Sequence, residues 1–149
     1  MKERFRAYSA VMLMLIRKNE TEEEILLQKR KNTEYYDGYY DVSASGHVED
    51  GESMKMAMCR EAKEELGIII EPNDLEFVCI IHKNTEDRIY YNGYFKATKW
   101  KGIPKINEPE KNEEIKWVKI NDLPEKFVND RKDAISNYLN GIKYSEFGW

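Results

Sequence analysis

The chain reads as an α/β fold, a mixed β-sheet held between helices, in one domain spanning residues 1–149. Three observations predict this. Apolar and aromatic runs of strand character alternate with two helical stretches. No internal repeat or low-complexity linker interrupts them. A chain of 149 residues is close to the usual domain size and can bury one sizeable core.

The first strand is the apolar run Ala10-Val-Met-Leu-Met-Leu-Ile16. With Lys2-Glu3-Arg4-Phe5-Arg6 before it, the run imitates a signal peptide, but Arg17 and Lys18 follow directly and no small-residue cleavage site is present. It is also far too short to cross a bilayer, so a buried strand is expected and no membrane partner. Residues 24–30 form a second strand, paired with the first as a hairpin across the polar turn Lys18 to Thr21. An aromatic, glycine-containing loop, Tyr35 to Tyr40, leads to a short strand at 41–45. After the first helix, residues 75–82 and 89–98 are rich in aliphatic and aromatic side chains and read as strands around the turn Asn84 to Asp87. A charged loop from Trp100 to Glu114 precedes a strand at 115–120, and residues 130–139 read as a C-terminal helix.

The formal net charge is −4, from 24 basic and 28 acidic residues, and no basic stripe stands out. Nucleic-acid polymers are therefore not expected partners. A phosphorylated ligand would depend on local cations or bound metal. The two cysteines, Cys59 and Cys79, offer no disulfide framework and fit packed thiols in a reducing cytoplasm.

The most informative stretch is Gly46-His47-Val48-Glu49-Asp50-Gly51-Glu52, followed by Arg60-Glu61-Ala62-Lys63-Glu64-Glu65-Leu66-Gly67-Ile68. On a helix, Glu61, Glu64 and Glu65 stand at i, i+3 and i+4, so their carboxylates share one side and can converge on one cation. Hard oxygen ligands in that number suit Mg2+ or Mn2+. Ser53 can cap the start of the helix and Gly67 its end. Met54, Met58, Ala62 and Leu66 recur at helical spacing and give it an apolar stripe for the core. Gly46 and Gly51 frame the preceding loop, where backbone must come close to metal or phosphate. Arg60 can pair with Glu64 at i+4 or reach back to Glu52. A merely solvated acidic face is the competing explanation for any Glu-Glu pair.

The pattern from Gly46 to Ile68 resembles the Nudix box, the signature of the Nudix hydrolases. The resemblance implies a Nudix-type α/β/α sandwich, MutT-like, and hydrolysis of substrates built as a nucleoside diphosphate linked to another group. It also implies a divalent metal: Mg2+, with Mn2+ as a substitute. Glu61, Glu64 and Glu65 would be the main ligands, joined by the Ser45 carbonyl and by Glu108 in the later loop, where Glu110, Glu113 and Glu114 compete for the same role. Proton abstraction would fall to Glu61, Glu64 or Glu108, with Glu52 and Arg60 holding the constellation together. Ala62 is smaller than the aliphatic residue usual at its place.

Outside the box, Lys29 and Arg30 end a strand where many Nudix hydrolases meet substrate phosphate, although a solvated strand end explains a basic pair equally well. Tyr35, Tyr36, Tyr39 and Tyr40 offer rings for a base, with core packing as the alternative. Asn129 stands where some relatives read a purine, and a helix cap would explain it too. The expected substrate is a nucleoside triphosphate, including oxidised purine forms, cleaved to monophosphate and pyrophosphate. ADP-ribose or another nucleotide derivative comes next, then a nucleotide-sensing domain without catalysis. The molecule is expected to be a monomer or homodimer.

One departure points elsewhere. Asp41-Val-Ser-Ala-Ser-Gly-His47 lacks the proline common before the box glycine and is similar to the corresponding stretch of isopentenyl diphosphate isomerases. Those enzymes carry a catalytic cysteine where this chain has Ser45, and a hydroxyl is a far weaker proton donor than a thiol. By the same resemblance His47 would be a metal ligand, whereas an ordinary loop histidine would turn to the backbone.

Overall fold

A computed structural model describes residues 2–149. The strands are β1 (Tyr8–Asn19), β2 (Glu22–Arg30), β3 (Tyr40–Val42), β4 (Ala44–His47), β5 (Glu76–Asn84), β6 (Ile89–Ala97), β7 (Asn112–Lys119) and β8 (Tyr144–Phe147); the helices are α1 (Met54–Leu66) and α2 (Asn129–Asn140). They build one mixed sheet in the order β3-β2-β1-β6-β5-β8, with β4 added beside β1 and β7 beside β2. The pairs β1·β6 and β5·β8 are parallel, and the remaining pairs are antiparallel.

β1 explains the architecture. Its odd positions Val11, Leu13 and Leu15 pack with Ala57, Met58, Ala62 and Leu66 of α1. Its even positions Met12, Met14 and Ile16 pack with Ala134 and Ile135 of α2. Both faces are covered, which is why the run is apolar throughout instead of alternating. The result is the expected sandwich, one helix on each side of the sheet.

The expected hairpin is present, β1 meeting β2 from Ile16↔Ile25 to Asn19↔Glu22. The single strand expected at 41–45 is in fact two. β3 pairs with β2, β4 pairs with β1, and the chain changes partner at Ser43 between them. The sequence reading also passed over β8 and a 3-10 turn at Pro72–Asp74. β8 is short and follows the left-handed Gly141 that closes α2, and only its parallel pairing with β5 defines it as a strand. No helix among the described residues is long and apolar enough to cross a membrane, and both cysteines are free.

Candidate active site

α1 is set by the features its sequence offers. Ser53 Oγ accepts from Met56 N at the start, and Gly67 ends the helix in the left-handed region at φ 68°. With the apolar stripe turned into the sheet, the acidic side faces β4. There the Ser45 N–H donates to Glu65 Oε2 at 2.8 Å. Gly46 lies so close to Glu61 that a Cβ at this position would overlap the Glu61 carboxylate, so glycine is required for a close approach of backbone to carboxylate.

Arg60 ties the loop to the helix. Its Nε and Nη2 hold Glu52 at 3.0 and 2.8 Å, and Nη2 also reaches the His47 carbonyl at 3.1 Å. Nη1 meets Glu61 at 2.8 Å and, more loosely, Glu64 at 3.4 Å. Both pairings considered for Arg60 therefore occur, and the bidentate one goes to Glu52. The two hydrogen bonds from Arg60, together with the Glu49 N–H, pull the Glu52 carboxyl down to a pKa of about 2.

Glu65 and Glu61 behave oppositely. Burial raises the Glu65 carboxyl well above the ordinary value despite its Ser45 hydrogen bond, and the negative charges of Glu61, Glu108 and Asp41 push the same way. Glu61 is also raised, by burial and by Glu64 and Glu108, against the pull of Arg60. Glu108 is brought here by its loop, which is sewn to the end of α1: Lys105 N–H donates to Leu66 O, and Asn107 N–H to Glu65 O. Of the competing loop glutamates, Glu113 pairs with Lys29 at 3.1 Å and Glu114 accepts from Tyr40 Oη at 3.0 Å. Glu108 alone of the four weighs on both Glu61 and Glu65.

Among the described residues no three side chains already stand at closed metal-binding spacing. Arg60 instead pairs with both Glu61 and Glu64. The donor set nonetheless fits a hard divalent cation. It consists of carboxylate oxygens crowded together, the most buried of them compensated only by one backbone N–H.

The expected ligand-contacting residues divide. Arg30 lines a cleft of about 450 Å³ together with Ser45, Gly46 and His47, and Tyr35 from the aromatic loop joins it. Lys29 is turned to Glu113 and Tyr40 to Glu114, and neither lines that cleft. Asn129 does not cap α2, since Val128 holds the cap position and gives no side-chain bond. The exposed Asn129 amide instead reaches Tyr36 Oη at 3.4 Å, next to the cleft residues and not among them. His47 stacks on Tyr90 with ring centroids 5.8 Å apart, so its ring is engaged by an aromatic neighbour. The sequence reading missed Asp41, Lys83, Asp130 and Arg131, which meet in buried ion pairs at the cleft base. Asp41 offered a signal, a carboxylate in an otherwise apolar strand.

Comparison with known proteins agrees with this construction. The family model described as NUDIX domain matches residues 7–138. An uncharacterized Nudix hydrolase of Listeria monocytogenes is 45% identical over 49 residues, which is 32% of this chain and 29% of the relative. Nudix hydrolase 3 of Arabidopsis thaliana is 32% identical over 79 residues, 51% of this chain and 10% of that protein. The chain thus spans less than a third of the length of these curated relatives. Among solved structures, a MutT NUDIX hydrolase from Burkholderia pseudomallei superposes with a TM-score of 0.78 at 24% identity, covering 89% of this chain and 98% of the other. The NUDIX domain of Shewanella oneidensis NrtR, solved with ADP ribose, gives 0.73 at 16%, covering 94% and 91%. Sheet order, helix placement and the match over residues 7–138 lead to one conclusion: the chain belongs to the NUDIX domain family.

Proposed function

We propose that the protein hydrolyses a diphosphate linkage in a nucleoside diphosphate derivative, with Mg2+ as the metal. The observation that carries this reading is the crowding of Glu61 and Glu108 around Glu65, whose carboxyl burial holds well above its ordinary pKa. Such a cluster is stable in its ionised form only with a cation among its oxygens. Glu61, Glu64 and Glu65, with the Ser45 carbonyl and Glu108, would hold Mg2+, or Mn2+ in its place, which when bound neutralises diphosphate charge and acidifies water.

The chain's own groups supply the rest. Arg60 fixes the loop through Glu52 and the His47 carbonyl, so the backbone from Gly46 to Glu52 is positioned before substrate arrives. Glu61, raised by burial and by two acidic neighbours, is suited to accept a proton from the attacking water. Arg30 reaches the cleft next to Gly46 and suits an oxygen-rich, charged substrate.

Two substrate groups deserve first trial. Nucleoside triphosphates, including 8-oxo-purine forms, would yield monophosphate and pyrophosphate. ADP-ribose would yield AMP and ribose 5-phosphate, and a structural neighbour was solved with ADP ribose. Product analysis over such a panel, with and without Mg2+, tests the reading. Metal-dependent appearance of a nucleoside monophosphate supports it. Isomerisation of isopentenyl diphosphate with no cleavage of any panel member would replace it, an outcome opposed by Ser45 at the place of the isomerase cysteine.

A further inference from the structure

The cleft beside Gly46 carries charges that the acidic helix does not use. At its base Asp41 pairs with Arg30 Nη1 at 2.9 Å and Arg131 Nε at 3.0 Å, and Asp130 pairs with Arg131 Nη1 at 2.6 Å and Lys83 Nζ at 3.2 Å. Three cations therefore share two carboxylates, and one positive charge is left over. At the rim, Arg88 faces the carboxylate of Asp87 at 3.9 Å, so that pair adds no net charge. The surplus charge is expensive because the network is withdrawn from water: Asp41 is 0%, Asp130 1% and Arg131 7% exposed.

The neighbouring strand β6 adds a hydrogen-bond requirement of its own. Asn92 is 2% exposed, lines the same cleft, and its Oδ1 has no hydrogen-bond partner. Two residues on, Tyr94 Oη is likewise buried and unpartnered. A carbonyl oxygen accepts, so Asn92 Oδ1 calls for a hydroxyl or N–H on the group that carries the anion, and adds nothing for the anion itself. Arg30 gives one N–H from each nitrogen to Asp41, Thr33 and the Tyr35 carbonyl, which leaves two of its five donors. Lys83 bonds Asp130 and Tyr35 Oη, which leaves its third N–H for a ligand.

We propose that this cleft seats a second anionic group of the substrate, set apart from the diphosphate that is cleaved. The inference rests on the hydrolase reading above and narrows its substrate class. The anion is either the terminal phosphate of a polyphosphate chain or a carboxylate or phosphate on the group joined to the nucleoside diphosphate. A neutral group, such as an uncharged sugar or base, can offer hydrogen bonds to Lys83 and Asn92 but leaves the surplus charge unbalanced. Ser45 and Gly46 line the same cleft, so it begins at the strand that the acidic side of α1 faces.

Binding to the metal-free, chelator-treated protein tests this apart from catalysis. Calorimetric titrations compare glucuronate 1-phosphate with glucose 1-phosphate, and pyrophosphate with phosphate. The member with the extra anion should bind at least about tenfold more tightly in one pair, which is about 1.4 kcal/mol, and the pair that responds names the source of the anion. Lys83→Met should erase the preference, and Asp130 keeps Arg131 as partner in that variant. Equal binding in both pairs by the wild-type protein would overturn the proposal, as would a preference that survives in folded Lys83→Met. Absence of any metal-dependent hydrolysis alongside an intact anion preference would instead remove the reaction assigned above and leave this site standing.

Discussion

Arg60 grips Glu52 with two nitrogens at once, Nε at 3.0 Å from Oε2 and Nη2 at 2.8 Å from Oε1. Two parallel charge-assisted bonds fix both distance and plane, so the pair clamps the Gly46–Glu52 loop onto α1. The clamp has a pH signature. Glu52 is lowered from 4.5 to about 2 in the folded protein, so its contribution to stability is complete above about pH 4.5 and lost as pH falls through 2. Denaturant midpoints measured between pH 5 and pH 2 should therefore fall more steeply for the wild type than for Glu52→Gln. Parallel profiles would show that the pair contributes nothing to stability.

Gly46→Ala should separate geometry from folding. The added Cβ meets the Glu61 side chain from Cγ outward and no backbone, so the side chain can swing away and the fold should survive. The carboxylate would then be displaced by on the order of 1 Å, and kcat should drop by about 10^2. Circular dichroism with a hydrolysis assay checks both halves. Unchanged turnover would mean that Glu61 has no demanding position to keep.

Much of this site was legible in the sequence. Ser53, Gly67 and the stripe Met58, Ala62, Leu66 act locally, through capping and helical period, and local rules are readable from spacing. Arg60 was legible for the same reason. The base of the cleft was not, because Asp41 and Arg131 are separated by 90 residues and meet only when β3 and α2 are brought together. Lys29 and Tyr40 show the converse limit. Both stand in a suggestive place along the chain, yet the side chains turn to Glu113 and Glu114, neighbours supplied by β7. The strand break at Ser43 also depends on partners chosen elsewhere in the sheet.

The proposed chemistry gives neither cysteine a role. Burial raises both thiols, so neither is an activated nucleophile. Cys59→Ser with Cys79→Ser should keep kcat/KM within about threefold while costing about 1–2 kcal/mol of stability, chiefly at Cys79, which is fully buried and near Asn137 Nδ2. A collapse of turnover in the folded double variant would revive a thiol mechanism.

Metal affinity should depend on pH in a defined direction. With its pKa raised, Glu65 holds its proton more tightly than an ordinary carboxylate, and a cation competes with that proton. Mg2+ should consequently bind more tightly at pH 8 than at pH 6, with proton release in unbuffered titrations. Affinity independent of pH would place the metal elsewhere.

The most direct measurement compares Glu65→Gln with Glu71→Gln on a substrate the wild type cleaves. Glutamine preserves size and helix propensity at position 65 but removes the charge a cation requires. Glu71 lies just beyond α1 and is exposed. The fold should persist in both variants. Loss of a metal ligand should lower kcat by about 10^2 to 10^4, equivalent to about 3 to 5 kcal/mol of transition-state stabilisation. Glu71→Gln should change kcat less than about threefold, as expected of a solvated carboxylate. Equal, small effects at both positions would contradict the account, reducing the acidic face of α1 to a solvated surface.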